Sequence, residues 1–494
     1  MFVSDSEWRK SMTANSRDIV YRILIEMEES GAYVGDILEV QLRKNQFQDK
    51  QIRAFITRLT EGVVERRITL DFLIKKFSKT PFNKIKTEIK VILRMGIYQI
   101  LYMDAVPDRA AVSESVKIAE THKLKGLTGY INAVLRAVAK AREENRINGM
   151  ICSSRETRFS TPKWLVDFFV SNYGKETADK ILGSQFEHRA TSVRVNSRKI
   201  SKDELKKSFE EQGIRTEDGK LSDKALLIDE YDFVRKLPGF GKGFFSVQDE
   251  SSMYAVERLF EAYREGGSLF EAYKEGGSLS HTQERSVLID ANDIDNADNI
   301  ENKYTSDTAD SKNVINVLEL CAAPGGKSLY MAEMLGDHGH VIARDLTEAK
   351  TDLIRENAER LGLSNVEVQE RDAVCLDGDM IGRADIVIAD VPCSGLGVMG
   401  HKNDIKYNVT EDGMKSLALL GKTILRNAAM YVKDGGVLMF STCTVNPGEN
   451  GEVVHGYLDE NGTRDGFKLI EERTFLQGID PCDGFYYAIL AKRT

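Results

Sequence analysis

The chain has 494 residues and a formal net charge of −9, with 29% charged and 41% hydrophobic residues. That length exceeds one ordinary core and predicts roughly two to four domains of soluble globular composition. No apolar run approaches the roughly 18 residues that span a bilayer, and the opening "MFVSDSEWRK" lacks the apolar stretch of a signal peptide, so membrane and secreted classes are set aside and a cytoplasmic setting is expected.

The charge is unevenly spread. Residues 1–150 hold 26 Lys and Arg against 19 Asp and Glu, whereas residues 261–312 hold 5 against 12. The first segment suits a phosphate backbone, and the second would be repelled by it; a solvated surface without a partner is the plainer reading of the positive segment. Six scattered cysteines with no CxxC pair predict neither a zinc site nor a disulfide framework, and no metal centre is expected.

Residues 1–150 read as an all-α domain. "SRDIVYRILIEMEE" (16–29) carries a one-sided apolar stripe, "KTEIKVILRMGIYQILYM" (86–103) is apolar around most of its circumference and predicts a central buried helix, and "YINAVLRAVAKARE" (130–143) is amphipathic.

Residues 151–259 read as a small α+β module. "STPKWLVDFFVSNYG" (160–174) predicts a helix with Thr161 as N-cap, Pro162 at its first position and Gly174 near its end. "TSVRVN" (191–196) and "KALLI" (224–228) predict strands, with a capped helix over 201–213 between them. Arg194 reads as a strand residue facing solvent, with contact to a nucleic-acid backbone as the alternative.

Residues 260–312 form an insertion. "FEAYREGGSL" (260–269) is followed at once by "FEAYKEGGSL" (270–279), and a run rich in Asp, Asn, Ser and Thr continues to about 312. Two copies are too few for a solenoid, and the composition of 280–312 predicts a mobile acidic loop; a segment that folds on a partner is the alternative.

Residues 313–494 switch to a βαβ pattern. Strands are predicted at 314–320, 340–345, 365–372, 384–390 and 435–442, with helices between them, notably 347–362. This predicts a parallel, doubly wound α/β sheet whose ligands lie beyond the carboxyl ends of its strands. "LELCAAPGGKS" (318–328) follows the first strand and opens a helix. Its small residues Cys321, Ala322, Ala323, Pro324, Gly325 and Gly326 let a ligand approach the backbone, although the pattern is not GxGxxG. Asp345, Asp372 and Asp390 close the next three strands, and unpaired carboxylates there are costly unless a ribose-bearing ligand satisfies them. NAD and S-adenosyl-L-methionine both fit to this point. "DVPCSGLG" (390–397) then places a thiol, Cys393, where methyltransferases acting on exocyclic amines carry an aromatic residue, and a thiol suits a ring carbon that becomes nucleophilic only after addition.

Together "CAAPGGKS", "DVPCSG" and "STCTVNPGEN" resemble the three signature motifs of RNA cytosine-C5 methyltransferases. "LPGFGKGFFSVQDESSM" (237–253) resembles the segment preceding the catalytic sheet in that family. "HKNDIKY" (401–407) resembles the motif after the first cysteine, with Asn403 where proline is common, and "DGFYYAIL" (483–490) resembles the closing strand. Residues 6–143 resemble the RNA-binding domain of the antitermination factor NusB.

The resemblance implies S-adenosyl-L-methionine as cofactor and an unpaired or locally opened RNA as partner, with a monomeric enzyme expected. It tips the substrate toward 16S ribosomal RNA; transfer RNA or another ribosomal site is the alternative within this chemistry, and a non-catalytic assembly protein the alternative outside it. It implies Cys443 as nucleophile, Cys393 in product release and Asp390 as an acid near the ring, with Asp390 also available to the cofactor. Lys327 is read either as activating a thiol or contacting phosphate, or as a structural helix-start lysine. Cys321 is read as a small residue of the turn, and Cys152, Cys375 and Cys482 as packing residues.

Overall fold

A computed structural model describes residues 5–44, 50–266 and 314–493. The amino-terminal part is helical throughout, and the helix Thr87–Tyr102 runs through its centre. Every residue of that helix from Val91 to Ile100 is buried, as its all-round apolar pattern predicts. Gly96 permits a close approach, because a Cβ there would stand 2.7 Å from Leu135. The one charge so enclosed, Arg94, is paired with Asp71 and Glu28 at 2.7 and 2.6 Å, which satisfies a guanidinium that burial would otherwise penalise.

The middle part carries a four-stranded antiparallel sheet of β1 (Thr191–Val195), β2 (Arg215–Asp218), β3 (Ala225–Asp229) and β4 (Phe245–Val247), in the order β2-β3-β1-β4. The helix Lys202–Glu210 starts on a capping box made by Ser201 and Glu204. The preceding helix differs from expectation. It spans Lys163–Ser184, with Pro162 as the N-cap rather than the first helical residue, and continues beyond a break at Gly174, whose φ of +75° only glycine adopts easily.

The carboxyl-terminal part is a seven-stranded sheet: β5 (Ile315–Glu319), β6 (Gly339–Asp345), β7 (Val366–Glu370), β8 (Ala384–Asp390), β9 (Val432–Thr442), β10 (Phe467–Phe475) and β11 (Phe485–Lys492). The order is β10-β11-β9-β8-β5-β6-β7, with β5 to β9 parallel and β10 and β11 antiparallel. The chain thus winds outward from β5 through β6 and β7, then crosses back to β8 and β9, opening a crevice at the carboxyl ends of β5 and β8. On one face Met253, Val256, Leu259 and Met331 pack on Ile386, Ile388 and Met439; on the other Ile424, Leu425 and Val454 pack on Val387, Leu438 and Phe440.

The helix Glu250–Glu265 crosses the boundary expected at 259/260. Its residues Met253, Ala255, Val256, Leu259 and Ala262 belong to the core under the seven-stranded sheet, and Arg258 pairs with Glu471 on β10 at 2.7 Å. The first copy of the duplicated decapeptide therefore begins as the end of a packed helix; its remainder, the second copy and the acidic run lie outside the described residues. Among the described residues, no helix is long and apolar enough to cross a membrane, and no cluster of His, Cys, Asp and Glu could hold a metal.

Candidate active site

The sheet brings two distant loops together. β8 and β9 are parallel neighbours, with Asp390 in register with Ser441, so the turns that follow them lie side by side. Cys393 on the first and Cys443 on the second stand with sulfurs 3.3 Å apart. The hydrogen bond from the Cys393 thiol holds Cys443 below the ordinary thiol range; burial and Asp390 oppose this, and Lys327 and Lys402 add to it. The same bond, with burial, pushes Cys393 well above its ordinary value. One sulfur is thereby biased toward thiolate and the other toward thiol.

Side chains of "PGEN" fix that spacing. Glu449, 2% exposed, accepts from the Ser394 amide at 2.8 Å and the Ser394 hydroxyl at 2.6 Å, and from Asn446 Nδ2 at 2.8 Å. Asn450 accepts from the Thr442 hydroxyl at 2.6 Å and donates to the Thr444 carbonyl at 2.9 Å. A backbone bond from Gly397 N–H to the Cys443 carbonyl closes the join at 3.1 Å. The sequence reading assigned no role to Glu449 or Asn450; the signal available was their place in the motif beside Cys443.

Lys327 is buried in the first turn of the helix Gly326–Leu335. Its Nζ donates to Asp390 Oδ2 at 2.6 Å and lies 5.1 Å from the Phe485 ring centre. Burial alone would lower its ammonium, but Asp390 and Glu319 outweigh burial and raise it. The other Asp390 oxygen accepts from the Ser441 hydroxyl at 2.7 Å. Glu319, also missed from sequence, is 1% exposed, accepts from the Ser328 amide at 2.7 Å, and is pushed up to about 7 by burial against the pull of Lys327. Lys327 thus belongs to an acid–base cluster whose charges act on the Cys443 thiol.

The turn Cys321–Gly326 follows β5 and leads into the N-terminus of Gly326–Leu335. Gly325 has a φ of +103°, and a Cβ there would press on Leu329 at 2.7 Å. The Ala322 amide donates to the Arg344 carbonyl at 2.8 Å and the Ala323 amide to Asp345 Oδ2 at 2.9 Å. Asp345, the last residue of β6, also accepts from the Leu346 amide at 2.7 Å and pairs with Lys350 at 3.0 Å. Asp345 therefore shapes the turn at the carboxyl end of β6. Asp372 lies two residues past β7 rather than ending it, half-buried, with Oδ1 accepting from the Val374 amide at 3.0 Å. Burial pushes the Cys321 thiol up to about 12, which suits a small residue of the turn rather than a reactive one.

Two expectations are corrected here. Arg194 is not a surface residue: it is 1% exposed, donates to Glu333 at 2.8 Å and to the Gly326 carbonyl at 2.9 Å, and lies 4.5 Å from the Tyr330 ring centre. Alternation along β1 places it against the helix that follows the small-residue turn, where an ion pair makes an otherwise prohibitive burial tolerable. Cys152 and Cys375 are exposed rather than packed, whereas Cys482 is buried.

A doubly wound sheet with antiparallel β10 and β11, a small-residue turn after β5 and acidic residues at or near the next strand ends is a Rossmann-like architecture, and the families it matches make it a methyltransferase. Residues 308–491 match the model described as 16S rRNA methyltransferase RsmB/F, residues 14–140 the NusB family, and residues 161–234 the ferredoxin-like domain of RsmF/B-like methyltransferases. The probable ribosomal RNA small subunit methyltransferase B of Bacillus subtilis is 32% identical over 454 residues, covering 90% of this chain and 88% of that protein. Ribosomal RNA small subunit methyltransferase B of Cronobacter sakazakii is 27% identical over 485 residues, covering 97% and 99%. The structure of PH0851 superposes with a TM-score of 0.72 at 19% identity over 97% of this chain and 99% of that one, a likeness of fold. The chain belongs to the RsmB/F family of 16S rRNA methyltransferases.

Proposed function

We propose that this protein methylates C5 of a cytosine in 16S ribosomal RNA with S-adenosyl-L-methionine as methyl donor. The observation that carries the reading is the thiol pair, 3.3 Å apart beside the Lys327–Asp390 pair, at the carboxyl ends of a methyltransferase sheet. The residues of the turn fit the cofactor: small side chains and open backbone at a helix N-terminus suit the methionyl end, and Asp345 and Asp372 suit ribose hydroxyls and the base. When bound, S-adenosyl-L-methionine supplies an electrophilic methyl group.

Cytosine C5 is a poor nucleophile until something adds to C6. The Cys443 thiolate, held below the ordinary range by Cys393, adds there and forms a carbon–sulfur bond, and the ring electrons move toward C5 and N3. A proton from the Lys327–Asp390 pair offsets the charge developing at N3. C5 then takes the methyl group from the sulfonium, which is left as a neutral thioether. The C5 proton passes to a base, the C6–sulfur bond breaks to return the Cys443 thiolate, and N3 gives its proton back to the Lys327–Asp390 pair. We assign Cys393 to that release, a reading supported by its sulfur standing 3.3 Å from that of Cys443.

A thiol must reach the ring face, so the target base lies outside any stack, and RNA that is unpaired or locally opened is the proposed partner. The positive helical part would add affinity for the RNA backbone. The names of the relatives, ribosomal RNA small subunit methyltransferase B, support small-subunit ribosomal RNA as the substrate. Bisulfite mapping of 16S RNA from cells lacking this chain tests the reading. One cytosine should lose its methyl group and regain it when the wild-type chain is restored; an unchanged map would overturn the reading.

A further inference from the structure

The loop after Cys393 faces two ways. Toward the thiols it presents Lys402, one of the cations that lower Cys443. Toward the helical domain it makes a set of directed bonds. Asp404 Oδ2 accepts from the Val34 amide at 2.7 Å, and Lys406 Nζ donates to the Glu65 carbonyl at 2.8 Å and to Gln185 Oε1 at 2.6 Å. The Tyr407 ring lies 4.1 Å from the Arg67 guanidinium. Asp404 and Lys406 are both buried. The helical domain is thus clamped onto the loop that shapes the catalytic pocket.

The clamp encloses a cavity of about 360 Å³. Cys393, Cys443, Lys402 and Asn403 line one side, and Tyr33 and Glu61 of the helical domain line the other. The volume is at the small end of the roughly 300–1,000 Å³ usual for ligand sites. Tyr33 is 47% exposed, whereas the next residue, Val34, is 3% exposed and bonded to Asp404. An aromatic ring is therefore held at the mouth of the thiol pocket on anchored backbone without being used as core.

Resting on the cytosine-C5 reading, we propose that Tyr33 is the stacking platform for the nucleotide next to the target cytosine, so that the helical domain forms one wall of the reaction pocket. Stacking on the neighbour leaves both faces of the target ring open, one to Cys443 and the other to the methyl donor. Aromatic platforms suit this role because every base has a π-face.

The test uses the full chain and an unmethylated 16S RNA transcript, comparing wild type, Tyr33→Phe and Tyr33→Ala. Stacking contributes about 1–3 kcal/mol per base, so Tyr33→Ala should raise the RNA KM roughly tenfold. Its kcat and its affinity for S-adenosyl-L-methionine should stay near wild type, and Tyr33→Phe should behave as wild type. A KM for Tyr33→Ala within twofold of wild type, an equal loss in Tyr33→Phe, or a loss confined to kcat would overturn the proposal. Failure of the wild type to methylate cytosine in the transcript would instead bring down the functional reading, and this proposal with it.

Discussion

Glu449 holds Ser394 twice, accepting its amide at 2.8 Å and its hydroxyl at 2.6 Å. Ser394 follows Cys393 and Glu449 lies six residues beyond Cys443, so a single buried carboxylate fastens the two thiol loops to each other. The spacing of the sulfurs, and with it the lowered pKa of Cys443, depends on that join.

Glu449→Ala should therefore lower kcat about 10- to 100-fold, because misplacement near 1 Å can cost that much, while leaving the Kd for S-adenosyl-L-methionine within about twofold. Steady-state kinetics and equilibrium titration of the same preparation check both halves.

The thiol pair also predicts a pH signature. Cys443 is held down by the bond from Cys393, so its thiolate persists to lower pH than that of a free cysteine, near 8.5. Removing the donor in Cys393→Ala removes the leading cause of the depression, and the Cys443 value should rise. Iodoacetamide alkylation of the Cys443 peptide, followed by mass spectrometry across pH, should show a midpoint below that of a free cysteine in wild type and a higher one in Cys393→Ala. Following individual peptides separates this signal from the exposed Cys152 and Cys375.

Lys327 neutralises the buried Glu319 and the partly buried Asp390, and Lys327→Met should leave both without their cation. Breaking a buried pair typically costs about 3–5 kcal/mol. Glu319 already stands at about 7, and Lys327 is what holds it from rising further. Without the lysine Glu319 stays protonated to higher pH, so the variant's deficit should be smaller at pH 6 than at pH 8. Thermal unfolding of both proteins at the two pH values reads the difference; an equal deficit at both would show that Glu319 is not coupled to Lys327.

Arg194 joins β1 of the middle sheet to Glu333 and to the Gly326 carbonyl. Arg194→Met should destabilise the chain by about 3–5 kcal/mol by stranding Glu333, and should weaken cofactor binding through the turn it supports. Denaturant titration and cofactor affinity check the two effects; full stability would contradict the assignment.

Much of this was legible in the sequence because the signals were periodic or local. The central helix Thr87–Tyr102 was marked by apolar residues on every side, and β5, β6, β8 and β9 by apolar runs ending in turns. Cys393 and Cys443 were marked by their motifs. What was hidden depended on neighbours distant in sequence. β2 and β10 carry charged, partly exposed residues and gain their pairing from β3 and β11, so neither shows a strand pattern of its own. Arg194 looked like a solvent-facing residue because its partner Glu333 lies 139 positions away. Glu319 gave no sign of burial because its compensating cation arrives from the helix after the turn. The role of "HKNDIKY" as a clamp on the helical domain needed the partner backbone of Val34 and Glu65 to be seen.

The most direct test of the central claim is covalent trapping. The Cys393→Ala chain is incubated with unmethylated 16S RNA and S-adenosyl-L-methionine and resolved by denaturing electrophoresis. The account predicts a protein–RNA adduct that survives denaturation in Cys393→Ala and is absent when Cys443 is also replaced by alanine. An adduct that persists in the Cys393→Ala/Cys443→Ala double variant would contradict the assignment of Cys443 as the nucleophile.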